Sequence, residues 1–101
     1  MEKSTIIVEG TFRRGYEAYF AEYSKQVRAY LSRHGAEVVR RQRITKTLYG
    51  SSSPDLIMVI DFPSVDIAER VFLEPEYLTM IPLRDEVFSD FRMYVAAYGE
   101  I

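Results

Sequence analysis

Ionisable and phenolic side chains fall within stretches of the sequence that otherwise resemble apolar strands. They are Glu9, Arg41, Asp61, Arg92 and Tyr94. Placing a charged side chain on a partly apolar sheet face costs free energy, so we expect the charge to be paired or to take part in function. One interpretation is an enclosed site in which Arg41 binds an anionic or enolate oxygen while a carboxylate or Tyr94 moves a proton. The favoured alternative is ion pairing at an interface, because structural networks perturb charges equally well.

His34 is the only histidine, and therefore the only side chain whose unperturbed pKa lies near neutrality. That makes it a candidate general base. Its position directly before Gly35 favours a role at a helix end, where a cation interacts with the helix dipole and the last carbonyl groups. Because the chain has one histidine and no cysteine, we expect no zinc or haem site and no cofactor, although a carboxylate-ligated ion stays open.

The apolar spacing predicts which elements position these groups. β-Branched and aromatic residues predict strands, and recurrence at three and four residues predicts helices. The predicted strands are Thr5–Phe12, Ala36–Arg43, Leu56–Ile60 and Phe91–Tyr98. The second has an irregular continuation from Ile44 to Leu48, and the third is predicted to be a central strand covered on both faces. The predicted helices are Tyr16–Arg33, a second one from an N-cap at Ser64 to about Leu73, and a short segment Glu76–Ile81 bracketed by Pro75 and Pro82.

The order βαββαβ predicts a ferredoxin-like α+β fold, with a four-stranded antiparallel sheet and both helices on one face. We expect one domain over residues 1–101. Alternate residues sort the sheet into an apolar face that meets the helices and a second, amphipathic face. The second face is predicted to hold Ile7, Glu9, Val39, Arg41, Arg43, Ile57, Val59, Asp61, Arg92, Tyr94 and Tyr98.

Helices can cover only one face in this architecture, so the second face would expose an apolar and aromatic patch. Burying several such side chains against another subunit is more favourable than leaving them in water. The sequence therefore predicts a homodimer through the sheet face, with the interspersed ionisable groups lining a cavity or interface.

Four short motifs occur along the chain: Phe62-Pro63-Ser64, Pro75-Glu76-Tyr77, the pair Leu83-Arg84, and His34-Gly35-Ala36 before a strand that contains Arg41. Together they resemble the family called domain of unknown function 1330, within the dimeric α+β barrel superfamily. The resemblance covers nearly the whole chain and implies a ferredoxin-like subunit and a sheet-to-sheet dimer. It implies no specific reaction. The chain departs from the family pattern at Ala36, where a second Gly is usual, and at Gln42-Arg43, where Gly-Gly is common.

Tyr77 and Arg84 match the family pattern at a position from which they would close over a pocket. Packing of Tyr77 on the second helix is the favoured alternative, because a tyrosine buries a large area. The resemblance leaves two functions open. The leading one is a small organic molecule bound in a sheet-face cavity, for a cofactor-independent isomerisation or oxygenation; the other is a ligand-sensing or structural dimer without chemistry. The candidate ligand-binding residues are Glu9, His34, Arg41, Asp61, Tyr77, Arg84 and Tyr94.

Charge and composition set limits on the partners. The net charge is −2, which disfavours a general polyanion binder. An RNA-recognition motif shares the βαββαβ order but needs aromatic residues on its third strand, where this chain has Leu56–Ile60. We therefore expect no nucleic-acid partner. No apolar run approaches about 20 residues, the chain has no cysteine, and no signal peptide is evident, so we expect no membrane partner and a cytoplasmic location.

Overall fold

A computed structural model describes residues 3–97 and places the helices on one side of a four-stranded antiparallel sheet. The strands are β1 (Ser4–Phe12), β2 (Glu37–Arg43), β3 (Leu56–Phe62) and β4 (Phe88–Ala97). They lie in the order β2-β3-β1-β4, so β1 and β3 are central. This arrangement confirms the predicted ferredoxin-like α+β fold. The irregular continuation predicted from Ile44 to Leu48 is not a strand.

The helices are α1 (Glu17–Arg33), α2 (Val65–Arg70), α3 (Pro75–Leu78) and α4 (Ile81–Val87), with a 3-10 turn at Val71–Leu73. The predicted N-cap of α2 is confirmed, because the Ser64 hydroxyl accepts the Ile67 N–H at 3.3 Å. Helix α4 is not predicted by the sequence. Pro82 lies in its first turn, where the missing N–H would have no helical partner anyway. The last strand consequently begins at Phe88, directly after α4.

The core lies between the helices and one face of the sheet. Apolar side chains from β1 and β3 meet those of α1 there, among them Ile6, Val8, Ile60, Phe62, Tyr23, Val27, Tyr30 and Leu31. The Tyr30 hydroxyl donates to the Val71 carbonyl at 2.5 Å and so joins α1 to the 3-10 turn. Gly10 lies so close to the Phe88 ring that a Cβ at that position would be 2.5 Å from a ring carbon. A side chain at Gly10 would therefore displace this part of the core.

Strand β2 contains a bulge. Val38 pairs with Ile60 of β3, whereas Arg40 pairs with the next residue of β3, Val59. Val39 is therefore an extra residue with no partner of its own. A bulge shifts all following side chains of its strand by one position relative to strict alternation.

The bulge changes the face on which the predicted site residue Arg41 and the nearby Arg43 lie. Arg41 is paired with Met58 and Arg43 with Leu56, both on the helix side of the sheet. The prediction that these arginines share a face with Glu9 is therefore wrong, because alternation was counted through the bulged residue.

The opposite face of the sheet, called the open face below, is covered by none of the helices within residues 3–97. In the register of the sheet, Ile7 of β1 lies between Val59 of β3 and Tyr94 of β4, and Ile57 lies opposite Glu9. Strand β3 is thus covered by helices on one face only, not on both as its apolar run suggested. Tyr98, also predicted on this face, lies outside the described residues.

Candidate functional site

A cavity of about 270 Å³ lies between α1 and the helix side of the sheet. Its lining is mainly apolar and comes from α1, from all four strands and from the 3-10 turn after α2. The principal apolar contributors are Val8, Phe20, Val27, Leu31, Val38, Leu56, Met58, Ile60, Phe72, Phe88 and Phe91. Its volume is just below the range of about 300–1,000 Å³ in which most small-molecule pockets fall. The space is suited to a small molecule with an apolar body.

Four polar side chains also line the cavity. Ser24 and Tyr23 contribute hydroxyl groups from α1, and Arg28 and Arg41 contribute guanidinium groups. The Arg28 Nε–H donates to the backbone carbonyl of Ser24 at 3.4 Å. Each of the four can donate a hydrogen bond, and the two guanidinium groups have donors but no acceptor.

A groove of about 470 Å³ adjoins the cavity, and the two share Phe20, Arg41 and Leu56 in their linings. The Arg41 guanidinium lies over the Phe20 ring, with its central carbon 5.1 Å from the ring centroid. Two residues along β2, Arg43 is placed over Phe12 in the same way, at 5.3 Å. These cation–π contacts hold both guanidinium groups beside the groove.

Asp55 fixes the end of β2 near this groove. Its backbone carbonyl accepts the Ile44 N–H at 2.8 Å, and its own N–H donates to the Gly10 carbonyl at 2.8 Å. The Asp55 carboxylate accepts the Phe12 N–H at 2.9 Å. Three backbone segments therefore meet at one residue, and this junction holds the arginine-bearing end of β2 beside β3 and β1.

A buried pair of tyrosines lies next to the cavity. The hydroxyl groups of Tyr23 and Tyr77 are 2.9 Å apart, and the Tyr77 side chain is completely buried on α3. Burial, followed by the proximity of Tyr77, raises the pKa of Tyr23 far above its usual range. Partial burial lowers the pKa of Arg84, but hydrogen bonding to Tyr77 and the charge of Asp85 outweigh it and raise that pKa. Tyr23 thus stays a neutral hydrogen-bonding group rather than a base.

Arg84 also lies over the ring of Phe91, which lines the cavity, at 5.0 Å from its centroid. Arg84, one of the two residues predicted to close over a pocket, therefore packs against a ring that lines the cavity. Tyr77 is packed in the core with its ring edge against Phe72, at a centroid distance of 4.9 Å. This agrees with the favoured interpretation of Tyr77 as a packing residue.

The remaining predicted site residues of the sheet lie on the open face. The Tyr94 hydroxyl donates to the Glu9 carboxylate at 3.4 Å, and Arg92, which lies opposite Glu9, pairs with Asp90 at 2.9 Å. Hydrogen bonding to Tyr94 and the charge of Asp90 raise the pKa of Arg92. Asp61 is bonded by the Thr5 hydroxyl at 2.9 Å, near the other end of the same strands. These groups form paired surface contacts around an apolar centre.

His34 is the C-cap of α1. Its backbone N–H donates to the Leu31 carbonyl, the N–H of the following Gly35 donates to the Ser32 carbonyl, and the His34 ring packs against Tyr30 at a centroid distance of 4.6 Å. It is not part of the cavity lining. The helix-end position expected from the following Gly35 is confirmed, and that glycine has a φ of 75°, which favours glycine.

The predicted constellation is therefore divided between the two faces of the sheet. Arg41 belongs to the cavity on the helix side, whereas Glu9, Asp61 and Tyr94 belong to the open face. The sheet-face cavity expected in a dimer stays a prediction, whereas the cavity described in the protomer lies under the helices. Sequence reasoning missed the contribution of α1, although one signal was present: Ser24 is a polar residue within an apolar stripe at helical spacing, Phe20, Ser24, Val27 and Leu31.

Two features are absent from residues 3–97. No cluster of three or more histidine, aspartate or glutamate side chains is arranged to hold a metal ion there. In the same part of the chain, no helix has the length and apolar character needed to cross a membrane.

A family model described as a domain of unknown function (DUF1330) matches residues 5–98 of the sequence. The chain belongs to this family. The match spans both the cavity-lining residues and the open face of the DUF1330 protein. No curated protein matches the sequence at a significant level.

Solved structures share the fold of this DUF1330 protein. A protein of unknown function from Rhodopseudomonas palustris has a TM-score of 0.81 at 15% identity, over 99% of this chain and 85% of the other. A dimeric protein of unknown function with a ferredoxin-like fold, from Bacteroides fragilis, has a TM-score of 0.65 at 9% identity, over 95% and 96%. SnoaB, a cofactor-independent oxygenase from Streptomyces nogalater, has a TM-score of 0.61 at 13% identity, over 100% and 97%. At these identities, the similarity establishes the fold.

The buried tyrosine pair leads to a stability prediction. Tyr23→Phe should lower the free energy of unfolding by about 1–3 kcal/mol, because it leaves a buried hydroxyl with one partner fewer. A group whose pKa is raised on folding stabilises the protein below its unfolded pKa, so this contribution is lost as the pH rises above about 10. Urea unfolding between neutral and alkaline pH should therefore show a weaker decline in stability for Tyr23→Phe than for the wild type.

Tyr19→Phe is the matched control, because Tyr19 lies on the same helix with its side chain 40% exposed. It should leave both the stability at neutral pH and the alkaline decline unchanged. An equal effect of the two substitutions, or no effect of Tyr23→Phe, would show that the buried hydroxyl pair does not contribute to stability.

Proposed function

We propose that this DUF1330 protein binds a small, mainly apolar organic molecule in the cavity between α1 and the sheet. The observation that carries the proposal is the cavity itself, with an apolar lining and a few donor groups concentrated on α1 and β2. Pockets for small molecules commonly combine an apolar lining with a small number of polar groups that fix orientation. An empty apolar space also lacks dispersion contacts, which a ligand would restore.

The lining favours binding over proton abstraction. Among the described lining residues, the polar groups are hydroxyls and guanidiniums, and none is a carboxylate or an imidazole. Tyr23 does not act as a base near neutral pH because its pKa is raised by burial. If a reaction takes place in the cavity, these groups would stabilise negative charge on a substrate oxygen rather than remove a proton. Glu17 lines the adjoining groove and is not part of the cavity lining.

The fold is compatible with catalysis in the absence of a cofactor, since SnoaB is described as a cofactor-independent oxygenase. An oxygenase or isomerase activity of this chain would require the bound molecule itself to supply the reactive carbanion or enolate. Ligand sensing without chemistry requires only the complementarity between ligand and cavity. Binding is common to both possibilities and is the function that the geometry supports best.

The proposal includes a homodimer formed through the open face. Ile7, Ile57, Val59 and Tyr94 form an apolar row across β3, β1 and β4, and Tyr94 is 46% exposed in the protomer. Removing apolar surface from water contributes roughly 25 cal/mol per Å². The charges around the row have both signs, as a self-complementary two-fold interface requires. The dimeric state of the ferredoxin-like relative from Bacteroides fragilis supports this assignment.

Cavity filling tests the binding proposal. Neutral probes of different shape, namely indole, naphthamide and cyclohexanemethanol, should produce saturable NMR shifts of the Val27, Met58 and Ile60 methyl groups for at least one probe. Val27→Phe places a larger side chain in the cavity and should weaken that binding by about tenfold or more, on the scale of ~1.4 kcal/mol. Thermal unfolding of the variant would verify that it is folded.

Val65→Phe is the matched control, since the same substitution is made at a valine that is 39% exposed at the start of α2 and outside the cavity lining. It should leave probe binding unchanged. The proposal would be contradicted if no probe shifted the cavity methyl groups, or if both phenylalanine variants bound the probe as the wild type does.

A further inference from the structure

Three arginines line the cavity and the groove that adjoins it. Arg41 lines both the cavity and the adjoining groove, Arg28 lines the cavity, and Arg43 lines the groove. Glu17 is the acidic residue in the groove lining. The chain as a whole has a net charge of −2, so this concentration of positive charge is local and opposite in sign to the overall balance. A positive region beside a low-dielectric cavity attracts anions and raises their local concentration.

The bulge in β2 is what brings Arg41 to this position. With regular alternation from Val38, Arg40 would lie opposite Met58 and Arg41 would point to the open face. The extra residue Val39 instead places Arg41 opposite Met58, which lines the cavity. Bulges that redirect a side chain are frequent next to functional sites.

Arg41 has no acidic partner in the described part of the chain. None of the ion pairs within 4.0 Å among residues 3–97 involves Arg41, and its close contact is the Phe20 ring. Stacking on an aromatic ring occupies the flat face of a guanidinium and leaves its N–H groups, which lie in the plane, available to an acceptor. Arg28 is in none of these ion pairs either, and the hydrogen bond of its side chain within residues 3–97 is to the Ser24 carbonyl.

We propose that the ligand of this cavity is a small carboxylate with an apolar body, and that the Arg41 guanidinium binds its carboxylate group. This inference rests on the proposed binding function and specifies its ligand class. The apolar body would occupy the space among Val27, Leu31 and Met58, and the carboxylate would lie at the junction of cavity and groove. A planar carboxylate matches the paired N–H groups of arginine, and such charge-assisted bonds are the strongest hydrogen bonds in proteins.

Paired probes test the inference, with calorimetry measuring the dissociation constant. Naphthoate and naphthamide share the same apolar body and differ in the charge of the polar end. The wild type should bind naphthoate about tenfold or more tightly than naphthamide, the scale of one charge-assisted contact. Arg41→Gln should abolish this preference while naphthamide binding stays within about threefold of the wild type. Arg41→Lys, which keeps the charge but not the paired N–H groups, should show an intermediate preference.

Arg43→Gln is the matched control. Like Arg41→Gln, it removes one positive charge from the helix side of β2, at an arginine placed over a phenyl ring. Unlike Arg41, Arg43 does not line the cavity. It should retain the preference for naphthoate. Naphthyl phosphate serves as a further probe, and tighter binding of the phosphate than of naphthoate would overturn the assignment to carboxylates.

Two further outcomes distinguish the inference from the function on which it rests. If the wild type bound naphthoate and naphthamide equally at the cavity methyl groups, the binding function would stand and the carboxylate assignment would fail. If neither probe, nor any of the neutral probes above, reached those methyl groups, both would fail. An equal loss of preference in Arg41→Gln and Arg43→Gln would show a diffuse electrostatic effect, which contradicts a specific role for Arg41.

Discussion

Helices on one side of a four-stranded sheet give the central strands β1 and β3 two different environments. On the helix side, Ile6, Val8 and Ile60 are buried in the core, with at most 3% of each residue exposed. On the open side, Ile7 and Val59 remain half-buried within the protomer because no helix among residues 3–97 covers them. The position of the cavity and the apolar surface of the open face both follow from this difference between the two sides of the sheet. The covered face encloses a cavity, whereas the uncovered face keeps apolar surface that association would remove from water.

The division of the sheet also separates two sets of charged residues that look alike in sequence. Arg92 and Asp90 are exposed and Glu9 is half-buried; each is paired with a neighbour and lies at the margin of an apolar row, which is what an interface contains. Arg41 is stacked on a phenyl ring at the boundary of a cavity and forms no ion pair within 4.0 Å among the described residues. The first set fits assembly, and the second fits recognition of a ligand.

The fold was largely predictable because its signals are local and periodic. The apolar stripe of α1, the run Leu56–Ile60 and the cap at Ser64 each specify an element within a few residues of sequence. The motifs around Phe62-Pro63-Ser64 and Pro75-Glu76-Tyr77 likewise led to the family that residues 5–98 match. Helix α4 escaped prediction because Pro82 was taken as a boundary, although a proline also fits the first turn of a helix.

The candidate site was less predictable, for a physical reason. The run Val38-Val39-Arg40-Arg41 supports two registers, and only the pairing of β2 with β3 shows that Val39 is bulged. The pairing is anchored from outside the strand, by the backbone and carboxylate bonds of Asp55 to two other segments. The volume of the cavity likewise depends on segments that are far apart in sequence, because it is set by the distance between α1 and the sheet. Neither property can be inferred from the spacing of residues in one strand.

The central claim is that the helix face of the sheet binds the ligand while the open face joins two protomers. A crystal structure of the protein grown with naphthoate would test it most directly. The account predicts two protomers related by a two-fold axis, with Ile7 and Val59 of each facing the partner sheet. It also predicts naphthoate between α1 and the sheet, with its carboxylate on Arg41. Naphthoate bound at the junction of the two sheets, or open faces exposed to solvent, would contradict it.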